Sequence, residues 1–165
     1  MLEEIKNRRS IRKFTPEEIG DKTIDQIIKM GTWAPSGLNN QPWKFVVIKN
    51  RELLEKLSQQ TIYHHIIQNV PVCIAVFLDN AESYNRLKDV QAIGACLQNM
   101  LLTIHHLGLG GVWLGEILKH REEVERILEV PDNLELMAVV ALGHPDEKKG
   151  SGNRKPLDKV IVARK

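Results

Sequence analysis

The chain is poor in the residues that advertise chemistry on their own. It has two cysteines in 165 residues, Cys73 and Cys96, far apart and within apolar segments. That spacing excludes a Cys-x-x-Cys metal or redox motif and a disulfide framework, and predicts buried free thiols. The six histidines include two adjacent pairs, His64–His65 and His105–His106. Neighbours on a helix point about 100° apart, unlike the i, i+4 spacing of helical zinc ligands, so no metal site is expected. No G-x-S-x-G element or recognisable triad is present, and with no obvious nucleophile any hard chemistry must come from a cofactor. No apolar run approaches the roughly 20 residues of a membrane span. The start, Met1–Leu2–Glu3–Glu4–Ile5–Lys6, is acidic and amphipathic rather than a signal peptide. A cytoplasmic protein with no membrane role is expected. Neither sign of charge dominates: 23 Lys and Arg face 21 Asp and Glu, a net charge of +2. Wholesale binding of nucleic acid therefore has no support, and no aromatic interleaving of the basic residues supplies it.

Two dense segments stand out against this background. Arg8–Arg9–Ser10–Ile11–Arg12–Lys13–Phe14 places four cations and a hydroxyl in seven positions beside an apolar anchor. A guanidinium matches phosphate oxygens two at a time and keeps its charge. In an extended segment Arg8, Ser10 and Arg12 project to one side. The pattern fits a phosphate clamp or a solvated basic run. Ala34–Pro35–Ser36–Gly37–Leu38–Asn39–Asn40–Gln41–Pro42–Trp43 is a polar turn leading directly into an apolar strand. Its Pro, Ser, Gly and Asn are ordinary turn residues, but their density ahead of a buried strand favours a binding loop. Glycines at 108, 110, 111 and 115 could bring backbone N–H groups close to a ligand, although the order is not G-x-G-x-x-G. Arg154–Lys155 is a second cationic pair, either a solvated loop or the other half of the clamp.

Periodicity predicts a short helix over Leu2–Arg8 with Leu2 and Ile5 turned inward. Thr15–Pro16–Glu17–Glu18 reads as a helix start interrupted at Gly20–Asp21, so the stronger helix is placed at Asp21–Trp33. A strand is expected at Trp43–Lys49 and a charged helix at Arg51–Gln60. Val70–Leu78 is almost continuously apolar, as a strand covered on both faces should be. Asp79–Lys88 reads as a loop, and Val90–Leu107 as a helix apolar nearly all round, hence buried on several sides. A helix at Arg121–Leu128, a buried strand at Leu134–Leu142, a surface loop at Gly143–Lys155 and a last short strand at Lys159–Ala163 complete the order. Helices and strands mix without regular βαβ alternation, so the fold class is α+β, and residues 1–165 are expected to form one domain.

In this order the segments resemble the FMN-dependent nitroreductases. Arg8–Phe14 is similar to the family's flavin-phosphate motif, and Ala34–Trp43 to its most specific signature. Gly108–Leu109–Gly110–Gly111–Val112–Trp113–Leu114–Gly115 resembles the segment that passes the flavin edge. Gly143–His144–Pro145 with Arg154–Lys155–Pro156–Leu157 resembles the loop that returns to the phosphate. The resemblance implies a mostly antiparallel central sheet flanked by helices, in an intertwined homodimer with FMN at the interface. It implies that Arg8, Arg9, Ser10 and Arg12 hold the phosphate and ribityl chain and that Arg154 and Lys155 close the grip. Pro35, Ser36, Gly37 and Asn39 would come from the partner subunit, and Gln41 is also expected at the cofactor. Trp113, Leu114, Gly115 and Glu116 would line the ring, with backbone amides at 115 and 116 donating to it. Val90–Leu107 would be the dimer helix, and Lys159–Ala163 would join the partner's sheet. The implied activity is transfer of reducing equivalents from NAD(P)H through flavin N5 to a small flat acceptor such as a nitroaromatic or quinone. No side chain is assigned as a catalytic acid or base. The short Asp79–Lys88 segment leaves little chain for a lid.

Overall fold

The computed structural model describes residues 2–148 and 150–165. The apolar run at 70–78 becomes strand β2 (Val72–Asp79), buried along its whole length. Alternation along it divides the interior. Val72, Ile74, Val76 and Leu78 belong to one apolar cluster, and Cys73, Ala75 and Phe77 to the other. β2 pairs antiparallel with β1 (Trp43–Ile48) and with β4 (Leu134–Gly143). A register shift between Val76 and Phe77 leaves Met137 of β4 outside the pairing, which puts Leu136 on the Phe77 side. β3 (Gly110–Leu114) adds to β4, giving the all-antiparallel order β1-β2-β4-β3.

One face of the sheet is covered by α2 (Asp21–Gly31) and α5 (Arg86–His106), through Ile24, Ile27, Ala92, Cys96, Leu97, Met100 and Ile104. The other carries α3 (Arg51–Ser58), α4 (His64–Asn69) and α6 (Arg121–Ile127), through Leu54, Leu57, Ile66, Ile67 and Val124. The expected α+β sheet flanked by helices is therefore observed. Helix α5 starts a turn before its expected position because Asn85 caps it, accepting from the Lys88 N–H. That takes Arg86–Lys88 out of the expected loop.

Five expectations fail. Thr15–Glu18 forms no helix; Thr15 N–H bonds to His144 O at 2.9 Å beside the segment after β4, and the chain bends at Pro16. α1 (Leu2–Asn7) forms as a helix, but Leu2 and Ile5 are exposed in this chain, 81% and 48% respectively. β3 occupies what reads in sequence as a glycine-rich connection, and α4 is a helix where none is signalled. Lys159–Ala163 is not a strand here: a 3-10 turn covers Leu157–Lys159, Ile161 N–H bonds back to Leu157 O, and the rest carries no regular structure and joins no strand of the sheet. A strand needs a neighbour, and within this chain the tail has none.

Candidate functional site

The basic run is held extended by two neighbours. Ser10 bridges Gly111 in parallel register, with Ile11 N–H donating to Gly111 O at 3.1 Å. Phe14 bridges Pro145, and Asp146 N–H donates to Lys13 O at 2.9 Å. Ile11 and Phe14 are buried, so the intervening polar side chains turn outward. Gly110 is required by this contact: a Cβ there would lie 2.8 Å from Ile11 Cγ2. The close approach that its glycine permits is to the chain's own basic run.

The C-terminal loop returns to the same place. Arg154 stands near enough to Arg8 to act on its charge. Burial first, then repulsion from Arg154 and Arg9, pushes the Arg8 pKa below its ordinary value. Arg9 is committed differently from its neighbours. Its Nη1 donates to Lys6 O at 2.7 Å and Arg8 O at 2.8 Å, and its Nε to Gly150 O at 3.1 Å. A Cβ on Gly152 would meet the Arg9 guanidinium at 2.8 Å. Arg9 thus staples the 150–154 loop against the basic run rather than offering its fork outward. Arg12 N–H donates to Glu147 Oε1, and its side chain is exposed, as is Lys155. Among the described residues, neither Arg8 nor Arg154 has a carboxylate partner. A half-buried Arg8 near the exposed Arg154, with no acid beside either, leaves this end of the chain with uncompensated positive charge.

The Pro35–Gln41 loop is strained. Leu38, Asn39 and Gln41 have φ of 54°, 55° and 49°, the left-handed region that costs each non-glycine residue roughly 1–2 kcal/mol. Ser36 Oγ accepts from Gln41 N–H at 3.0 Å and closes the turn. Gly37 lies under Tyr84, whose hydroxyl would be 1.9 Å from a Cβ at that position. Asn40 Nδ2 donates to Asp89 Oδ1 at 2.8 Å and Glu82 O at 3.0 Å, fastening the loop to the start of α5. Pro35, Leu38, Asn39 and Gln41 are exposed.

The basic run, by contrast, sits at the other end of α5, where Glu4 Oε1 approaches His106 Nδ1 at 3.3 Å. A 21-residue helix is about 30 Å long, so these two segments of one chain do not meet.

β3 delivers the last predicted group. Leu114 is buried and Trp113 is 44% exposed. The N–H groups of Gly115 and Glu116, at the turn that follows, make no backbone hydrogen bond among the described residues. The Glu116 carboxylate turns away: Oε2 accepts from Thr61 Oγ1 at 2.8 Å and Ile62 N–H at 3.1 Å, and Oε1 pairs with Lys119 at 3.0 Å. These bonds, the Thr61 hydroxyl foremost, hold it below the ordinary carboxylate range. The side chain fixes the 61–63 turn, leaving only the backbone at 115–116 free to face a ligand. The roles of Arg9, Asn40, Asp89 and the Glu116 carboxylate were not legible in sequence. Only the acid four residues after a helix cap hints at Asp89, and it reads as capping.

Fold and site together define an α+β sandwich with a basic N-terminal run and a strained polar loop. The sequence matches the Nitroreductase family over residues 5–62 and 55–144, and the chain belongs to that family. A Methanothermobacter thermautotrophicus protein provisionally named NADH dehydrogenase/NAD(P)H nitroreductase is 36% identical over 162 residues, 97% of this chain and 85% of its own. A provisionally named nitroreductase from Desulfovibrio desulfuricans, crystallised in complex with FMN, is 43% identical with a TM-score of 0.94, covering 99% of this chain and 96% of that one. The NADPH:FMN oxidoreductase of Vibrio harveyi, solved with NAD+, is 27% identical with a TM-score of 0.91, covering 99% of this chain and 76% of that one.

Proposed function

We propose that this protein is an FMN-dependent NAD(P)H oxidoreductase that reduces flat acceptors such as nitroaromatics and quinones, working as a single-domain homodimer. The observation that carries the reading is the nearness of the Arg8 and Arg154 charges with no carboxylate beside either, which suits a phosphate monoester. The relative crystallised with FMN supports the identity of that ligand. Arg8, Ser10, Arg12, Arg154 and Lys155 would hold the phosphate and ribityl chain, with Arg9 keeping the C-terminal loop in place. The Gly115 and Glu116 amides would donate to the ring beside Trp113 and Leu114. Hydrogen-bond donors fixed at the ring's polar edge stabilise the negative charge that reduction develops. When bound, FMN would supply the redox chemistry, ping-pong hydride transfer through N5 between NAD(P)H and a flat acceptor, while the residues named above would bind and orient it.

The length of α5 supports the dimer. The Pro35–Gln41 loop lies at one end of this helix and the arginines at the other, so a second copy running antiparallel would bring its Pro35, Ser36, Gly37, Asn39 and Gln41 to the first copy's arginines. Between α1, α2 and α5 lies a groove of about 570 Å³ lined by Met30, Trp33, Leu102 and Thr103 among others, with Trp33 77% exposed. The β1 edge has no further strand, whereas Ser10–Ile11 covers β3. The exposed Leu157, Val160 and Val162 of the tail suit a partner's β1 edge.

The test is the visible spectrum of the purified protein, followed by NADH and NADPH oxidation with a quinone and a nitroaromatic. A flavin spectrum with acceptor-dependent turnover is expected. An FMN-loaded protein that oxidises neither nucleotide contradicts the reductase reading, and a preparation that takes up no FMN contradicts the site.

A further inference from the structure

We propose that Asn40 and Asp89 form a latch that holds the Ser36–Gln41 loop in its ligand-facing conformation, which makes Asp89 a positioning residue for the cofactor site. The inference rests on the reading that this loop meets FMN.

Asp89 is fully buried, and its two oxygens do different work. Oδ2 accepts from Ser83 Oγ at 2.7 Å, Asn85 N–H at 3.1 Å and Tyr84 N–H at 3.2 Å. Those bonds shape the approach to α5, which Asn85 already caps. Oδ1 has no part in that helix start. It accepts from Asn40 Nδ2 at 2.8 Å, across 49 positions of sequence.

The loop's own bonds are short-range: Asn39 N–H to Ser36 O at 3.2 Å, Asn40 N–H to Gly37 O at 3.1 Å and Gln41 N–H to Ser36 Oγ at 3.0 Å. A turn with three left-handed residues relaxes unless something outside it opposes relaxation. The Asn40 side chain, bound to Asp89 and to Glu82 O, is the hydrogen-bonded anchor in that position. Because the carboxylate is ionised and shielded from water, this bond is of the charge-assisted kind. The neighbours Asn39 and Gln41 are exposed, and Asn40 is drawn inward. The loop is therefore divided between residues that face outward and one that holds them there.

The test measures FMN release from the holoprotein after dilution, by recovery of free-flavin fluorescence. Asn40→Ala removes the Oδ1 link and leaves the helix start intact. It is expected to accelerate release on the order of tenfold to a hundredfold. Asp89→Ala should do at least as much, and the double variant should be no faster than Asp89→Ala because the two act as one unit. Ser83→Ala, which touches only Oδ2, should release FMN at the native rate. Chymotryptic cleavage after Leu38, 86% exposed, reads the loop without any flavin and should speed up in Asn40→Ala. A native release rate and native cleavage rate in Asn40→Ala overturn the latch while leaving the FMN reading intact. Equal acceleration in Ser83→Ala overturns it as well, since the effect is then general loosening. A native protein that binds no FMN overturns the functional reading on which the inference rests.

Discussion

Replacing Arg8 with alanine tests whether the gathered arginines exist for a phosphate. Arg8 is half-buried, lies near enough to Arg154 to feel its charge and has no carboxylate partner among the described residues, so its charge is uncompensated. Arg9 has spent its guanidinium on three carbonyls and Arg154 Nη1 donates to Asn153 O, which leaves Arg8 as the half-buried fork available to an anion, beside Arg12 and the rest of the Arg154 fork. A charge-assisted contact of this kind is worth about 1.5–3 kcal/mol, so Arg8→Ala should weaken FMN binding by roughly 10- to 100-fold. Riboflavin has the same ring and ribityl chain without the phosphate, and its affinity should hardly change. Arg154→Ala should behave alike. The double variant should lose less than the product of the single losses, because removing one cation relieves repulsion on the other. Parallel fluorescence titrations of deflavinated protein with FMN and riboflavin measure these ratios. Equal losses for both flavins, or no loss for FMN, would refute the phosphate assignment.

Deleting Lys159–Lys165 is expected to shift the protein from dimer toward monomer in sedimentation or light scattering and to lower FMN retention with it; a dimer of native strength would remove the tail from the interface. The Asp79, Asp89 and Glu116 carboxyls all lie below their ordinary values of 3.8, 3.8 and 4.5. Burial alone would raise Asp79 and Asp89, but their hydrogen bonds outweigh it, whereas for Glu116 the Thr61 hydroxyl is the largest influence. Their stabilisation is therefore complete above the ordinary values and is lost as pH falls through the lower folded ones. The melting temperature should drop on acidification below about pH 4, Glu116→Gln should flatten part of that drop, and a flat profile would contradict it. Burial pushes the Cys73 and Cys96 thiols up to about 12, so a thiol reagent should label neither in native protein and both after unfolding.

How much of this was legible in sequence differs by element. β2 and α5 were plain, because an unbroken apolar run and an apolar face repeating at helical spacing have few other uses. β3 was hidden by Gly110–Gly111, which looks like a turn until Ile11 is seen to need the space. α4 carries no side-chain cap bond, and six residues offer too little periodicity to read. Leu2 and Ile5 were expected inward because one chain was assumed to cover its own apolar residues. In the site, composition pointed to an anion clamp but could not separate adjacent arginines, of which Arg9 binds carbonyls and Arg8 does not. Asn40 and Asp89 are joined only by folding, and nothing in either local sequence marks the pair.

The most direct test of the central claim is anaerobic addition of NADH or NADPH to the purified, FMN-loaded protein while following the visible flavin band. The account expects the band to bleach with at least one nucleotide and to return when a quinone or nitroaromatic is added. A band that neither nucleotide bleaches would contradict it.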